Sequence, residues 1–187
     1  MATPSPTAAD APVRDWNAVA VVVATLVGLL ALLVSAYTAH IQRQQVRAQV
    51  WPYLQVSNYD NEFAIKVLNK GVGPALVRGV RVWVDDKPQQ DWRHALGSLG
   101  VSLRGGQTST LNGNVLSAGE SLTMIKLFDG TAYGALRAAY PRVGMEICFC
   151  STLDDCWLYS DLGAGRRAET HSVAQCPRLS PAEAFQD

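Results

Sequence analysis

The stretch that most constrains this chain is Ala18 to Ala39, AVAVVVATLVGLLALLVSAYTA, twenty-two consecutive residues with no formal charge. At about 1.5 Å of rise per residue, a helix of that length reaches roughly 33 Å, enough to cross a hydrocarbon core about 30 Å thick. A surface helix of a soluble domain needs a polar face, and this run has none. The expectation is a membrane span that tethers the rest of the chain to a lipid bilayer. A cleaved signal peptide is the competing reading, since Val34, Ser35 and Ala36 suit a cleavage site. Against it, Met1 to Asn17 contains three prolines and two aspartates and lacks a positive cluster. The apolar run also exceeds the roughly 7–15 residues of a signal core. Trp16 and Tyr37 flank the run, where amphipathic rings favour the headgroup layer.

The span divides the chain. Residues 1–17, rich in Ala, Pro, Thr and Ser, read as a disordered N-tail. Residues 18–39 form the span and 40–50 a helical stalk, which Pro52 ends because the residue before proline disfavours the α region. Residues 51–177 suffice for one domain, and 178–187 read as a disordered tail. Within the span Ala20, Ala24 and Gly28 recur every four residues, a spacing at which two helices pack closely in lipid, which makes this face a candidate for self-association; the competing reading is that alanine and glycine are simply common in spans. Sixteen Lys and Arg balance sixteen Asp and Glu, with no basic run longer than Arg166-Arg167. That argues against a nucleic-acid partner, which needs a basic surface. Arg43 and Arg47 after the span favour a cytoplasmic C-terminal side, whereas the cysteines below favour an oxidising compartment.

From Tyr53 the apolar period changes from helical to two. Tyr53 to Tyr59 and Phe63 to Leu68 read as strands, as does Leu76 to Asp85, with Val80, Val82 and Val84 on one face and Arg81 and Trp83 on the other. Between the last two lies Asn69-Lys70-Gly71-Val72-Gly73-Pro74-Ala75, whose glycines permit positive φ and whose proline belongs at a strand start or edge. A turn is expected at Asp85 to Pro88 and a short helix capped by Asp91 over Asp91 to Leu99. Loops around one short strand follow from Gly100 to Gly119, then a strand from Ser121 to Phe128. A second helix runs from Asp129 to Tyr140, and two strands, Val143 to Cys150 and Cys156 to Leu162, enclose a five-residue loop. The fold class is mainly β with one or two short helices, preceded by one N-terminal transmembrane helix.

The run F-x-I-x-V-x-N-K-G-x-G-P-A followed by V-x-V-x-V-D-D resembles the strand pair of Ig-like β-sandwiches in exported bacterial proteins. Together with Trp51-Pro52-Tyr53-Leu54 and C-x-C-S-x4-C-W, it resembles a set of uncharacterised bacterial single-pass membrane proteins over most of the chain. The resemblance implies an Ig-like β-sandwich and a bacterial inner-membrane location. It brings no activity and no catalytic residue.

Cys148, Cys150, Cys156 and Cys176 are the only cysteines. In the strand reading Cys148 and Cys150 share one face, opposite Met145, Ile147 and Phe149. Cys150 and Cys156 bracket the hairpin loop, where opposed Cα atoms lie about 4.5–5.5 Å apart, within disulfide range. That favours Cys150 to Cys156 and Cys148 to Cys176, although four cysteines allow three pairings and spacing does not choose among them. The rival readings are zinc held by all four thiolates, despite C-x-C and C-x5-C spacings unlike the usual knuckles, cuprous copper at C-x-C with Met145 or His171, and a thiol exchanger, which would more typically show C-x-x-C at a helix start. Disulfides place the domain in the periplasm; zinc places it in the cytosol.

His40, His94 and His171 are scattered, and no H-E-x-x-H, G-x-S-x-G or Walker lysine motif occurs. Asp60, Asp85-Asp86 and Asp154-Asp155 sit in turns, where aspartate is ordinary without calcium. Trp157 reads as packing beside a bridge. Trp83, with Arg81, is the better candidate for a partner surface. The expectation is a membrane-anchored binding or accessory module of the bacterial envelope, with no enzyme activity and no cofactor, its C-terminal domain periplasmic and its protein partner unspecified.

Overall fold

The structure, a computed structural model, describes residues 16–162 and 167–186. The chain forms two compact units, one up to Gln45 and one from Val46 onward. The first is most of helix α1 (Trp16–Gln49), which is long and apolar enough to cross a membrane, with a mean hydropathy of 2.8 over its most apolar window. It takes in span and stalk without a break and starts two residues before the expected span. The rest of the expected N-tail lies outside the described residues.

The second unit is mainly β. Its strands are β1 (Leu54–Tyr59), β2 (Ala64–Asn69), β3 (Ala75–Val84), β4 (Lys87–Gln89), β5 (Gln107–Thr108), β6 (Val115–Leu116), β7 (Ser121–Lys126), β8 (Val143–Cys150), β9 (Cys156–Asp161) and β10 (Glu169–Val173). Two short helices, α2 (Trp92–Ser98) and α3 (Gly130–Ala139), complete it. One sheet has the order β1-β2-β7-β5. The other runs β10-β9-β8-β3-β4, with β6 also on β3, and every pairing is antiparallel. One hydrophobic cluster joins the sheets: Leu54, Ile65, Val67 and Met124 from the first, Val80, Val82, Ile147 and Phe149 from the second. The helix caps follow from local chemistry, for the Asp91 side chain accepts from the His94 amide and Asp129 from the Thr131 amide.

The segment after β2 owes its glycines to close approach, not to the positive φ expected of them. Among the described residues the glycines with positive φ are Gly100, Gly105, Gly113 and Gly119. A Cβ on Gly71 would overlap the backbone of Trp51 and Tyr53, and one on Gly73 the backbone of Val50. The amides of Val72 and Gly73 donate to the Trp51 carbonyl at 2.9 and 3.2 Å, and that of Lys70 to the Tyr53 carbonyl at 2.7 Å. Asn69 locks this clamp. It is fully buried; its Oδ1 accepts from the Tyr53 amide at 3.2 Å and the Gly71 amide at 3.0 Å. Its Nδ2 donates to the carbonyls of Gly73 at 2.7 Å and Leu116 at 3.0 Å. All four hydrogen-bonding positions of the amide are filled.

Four features depart from the sequence reading. The stretch from Gly100 to Gly119 holds two short strands, β5 and β6, in place of one. Lys87 to Gln89 is strand, because Asp85 and Asp86 alone make the turn, both at positive φ. Glu169 to Val173 pairs with β9. The tail expected to be disordered beyond Pro177 instead returns across the second sheet, where the Phe185 amide bonds the Val80 carbonyl and its ring meets Trp92 edge-on at 4.9 Å. Phe185 is only 3% exposed, so the hydrophobic gain of burying one ring orders the segment.

Three tyrosines set an alkaline limit on this unit. The Tyr133 hydroxyl donates to Asp60 Oδ1 at 2.7 Å, and burial followed by that carboxylate pushes its pKa up to about 12. Burial first, then Asp161, also raises Tyr140 and Tyr159. A phenol with a raised native pKa keeps its proton while the unfolded chain, ionising near about pH 10, loses it. The tyrosines' contribution to stability is therefore full below about pH 10 and is lost as pH climbs through about 12. Denaturant midpoints across that range should decline, less steeply in Tyr133→Phe; a flat midpoint contradicts the assignment.

Candidate functional site

Strand β8 alternates faces. Met145, Ile147 and Phe149 enter the core, while Gly144, Glu146, Cys148 and Cys150 line the outer face. Cross-strand register adds neighbours from both sides: Gly79 opposite Cys148 and Arg81 opposite Glu146 on β3, Cys156 opposite Cys150 and Leu158 opposite Cys148 on β9. The bulge leaves Arg78 without a register partner, so that Val77 and Gly79 sit opposite the consecutive β8 residues Phe149 and Cys148.

The cysteines form two bridges, Cys148–Cys176 and Cys150–Cys156, with S–S distances of 2.05 and 2.09 Å. This resolves the choice that spacing left open. The second bridge closes the β8–β9 hairpin across directly opposed residues. The first draws the C-terminal segment, residues 177–186, over the outer face as a strap, where Gly79 leaves room for Leu179. The bridges touch each other: Cys150 Sγ lies 3.7 Å from Cys176 Sγ, and the sulfurs of Cys150, Cys156 and Cys176 all fall within 4.8 Å of one another. Among the described residues no cysteine is free. Bridged sulfurs carry no thiolate, so a zinc site at these residues requires reduction first. Met145 points into the core, away from Cys148 and Cys150, which removes it as a copper ligand. His171 lines a different cavity, beside Arg167 and Glu169.

An open cavity of about 570 Å³ lies against the bridges, lined by Cys150, Cys156 and Cys176 together with Arg78, Arg178 and Asn112. The two exposed guanidiniums give it a positive rim, which Asp154 partly offsets. The sequence reading missed this constellation because Arg78 and Arg178 are a hundred residues apart and only the strap brings them together.

Farther along the same face, Trp83 is half-buried beside Leu162, and both line a second cavity with Asp85, Asp86 and Arg142. Arg81 is committed within the sheet. It pairs with Glu146 and its guanidinium lies 5.3 Å from the Trp83 ring. Trp83 is thus the accessible member of the pair and Arg81 its support. Asp60 and Asp85 are each engaged by an arginine, Arg137 and Arg142 respectively; Asp85 is held below the usual carboxylate range, chiefly by its hydrogen bond to Arg142. Ala20, Ala24 and Gly28 are exposed on α1. Comparison with protein families, with curated proteins and with solved structures found no match.

Proposed function

We infer that the protein is a single-pass, membrane-anchored binding module of the bacterial envelope, its Ig-like β-sandwich displayed on the periplasmic side of the inner membrane and without catalytic activity. The observation that carries this reading is the pairing of all four cysteines in a domain joined directly to a helix apolar enough to span, since such bridges persist only in oxidising compartments. The binding surface is the outer face of β3, β8 and β9 around Trp83, a large ring at a cavity mouth of the kind that anchors protein contacts. Self-association through Ala20, Ala24 and Gly28 would present that face in pairs.

A second reading, a membrane-tethered cytosolic regulatory domain holding zinc through Cys148, Cys150, Cys156 and Cys176, draws on the closeness of three of the sulfurs. Fusions of alkaline phosphatase and of a fluorescent protein after Asp187 separate the two. The first reading requires an active phosphatase, a dark fluorescent fusion and thiols that alkylate only after reduction. A fluorescent fusion with four free thiols and stoichiometric zinc would overturn it. With the topology established, a photo-crosslinking residue at Trp83 should capture a protein partner that the same residue at Val115, which is exposed elsewhere, does not.

A further inference from the structure

We propose that the four cysteines act as one thiol–disulfide exchange unit, in which a small anionic thiol entering the arginine-rimmed cavity reduces the cluster by two electrons and leaves Cys150 bridged to Cys176. Three observations carry it. The cavity borders one bridge and one half of the other, for Cys150, Cys156 and Cys176 line it and Cys148 does not, with Cys156 7% exposed and Cys150 3%. The two bridges meet at a sulfur–sulfur distance of 3.7 Å between Cys150 and Cys176, within reach of a nucleophilic displacement. Arg78 and Arg178 line the same space, so a thiol bearing carboxylates is drawn in and thiolates formed there are stabilised.

The chemistry balances. The thiolate of the incoming reductant attacks Cys156 Sγ; a mixed disulfide forms, the Cys150–Cys156 bond breaks, and the electron pair leaves on Cys150. The Cys150 thiolate then attacks Cys176 Sγ, forming Cys150–Cys176 and expelling Cys148, which takes up a proton. A second reductant thiolate attacks the reductant sulfur of the mixed disulfide, releases the oxidised reductant and returns Cys156 as a thiol. Two thiols have become one disulfide, and the domain has gained two electrons and two protons. Cys176 ends bonded to β8 as before, two residues along, so the strap stays tethered throughout.

Partial reduction of the detergent-solubilised full chain in graded reduced and oxidised glutathione, quenched with acid and mapped by differential alkylation and peptide mass spectrometry, tests this. The expected two-thiol species is labelled at Cys148 and Cys156 and keeps the Cys150–Cys176 bridge. A two-thiol population that retains mainly Cys148–Cys176 or Cys150–Cys156 overturns the proposal. A second measurement needs no reductant: in Cys156→Ser the lone thiol should be found at Cys148, with Cys150 and Cys176 bridged. If it stays wholly on Cys150, exchange between the bridges does not occur.

Discussion

Replacing Asn69 by alanine should lower the stability of the β unit by about 3–5 kcal/mol, because four backbone groups lose their partner together and a buried donor or acceptor left unmade costs about 1–3 kcal/mol. The groups are the amides of Tyr53 and Gly71 and the carbonyls of Gly73 and Leu116. The small cavity left by the amide itself adds little. The loss should show as a lower denaturant midpoint with an unchanged slope, read from tryptophan fluorescence of the solubilised chain. It should exceed that of Asn58→Ala on β1, whose side chain makes none of these bonds. A shift below about 1 kcal/mol, the worth of a single ordinary hydrogen bond, would mean that water replaces the amide and that the clamp is not held by it.

Removing the strap bridge ranks next. In the double variant Cys148→Ser, Cys176→Ser the hairpin bridge remains, and the unfolded chain is released from a closure spanning 28 residues. Chain entropy assigns such a closure about 3–4 kcal/mol. The local signature should be sharper than the global one. Once untied, the segment from Pro177 to Gln186 is held chiefly by Phe185 against Trp92 and by the two amide bonds that Phe185 and Gln186 donate to the carbonyls of Val80 and Gln90. Limited proteolysis should therefore cut within residues 177–186 in the variant under conditions where the native chain resists. Resistance equal to the native chain would show that the aromatic contact alone suffices.

Much of the local structure was legible because its causes are local. Asp91 announces one helix start, and Asp129 or Thr131 the other, of which Asp129 caps; each aspartate's side-chain oxygen faces an amide two or three residues on. The alternation of Met145, Ile147 and Phe149 against Cys148 and Cys150 fixes both the strand and the face the sulfurs share. The rest depended on partners distant in the chain. Glu169 to Val173 has no apolar alternation, and it is a strand because β9 offers an edge. Phe185 looks like a stray ring in a polar tail until Trp92 is brought beside it. The motif from Asn69 to Ala75 was visible, but its reason was not. Glycine was credited with backbone freedom, whereas the folded chain needs the absence of a Cβ at Gly71 and Gly73, where the backbone of residues 50–53 lies against them. The arginine rim of the cavity had no sequence signal at all, since Arg78 stands at a bulge and Arg178 on the strap.

All covalent reinforcement in this molecule lies in the sheet that carries β8, while the sheet that carries β1 has none. A tug arriving along the chain from Val50 therefore meets the amide lattice around Asn69 and the β1–β2 ladder first, and the sulfur links last. Under tension the edge strand would peel while the cysteine-bearing sheet held its shape.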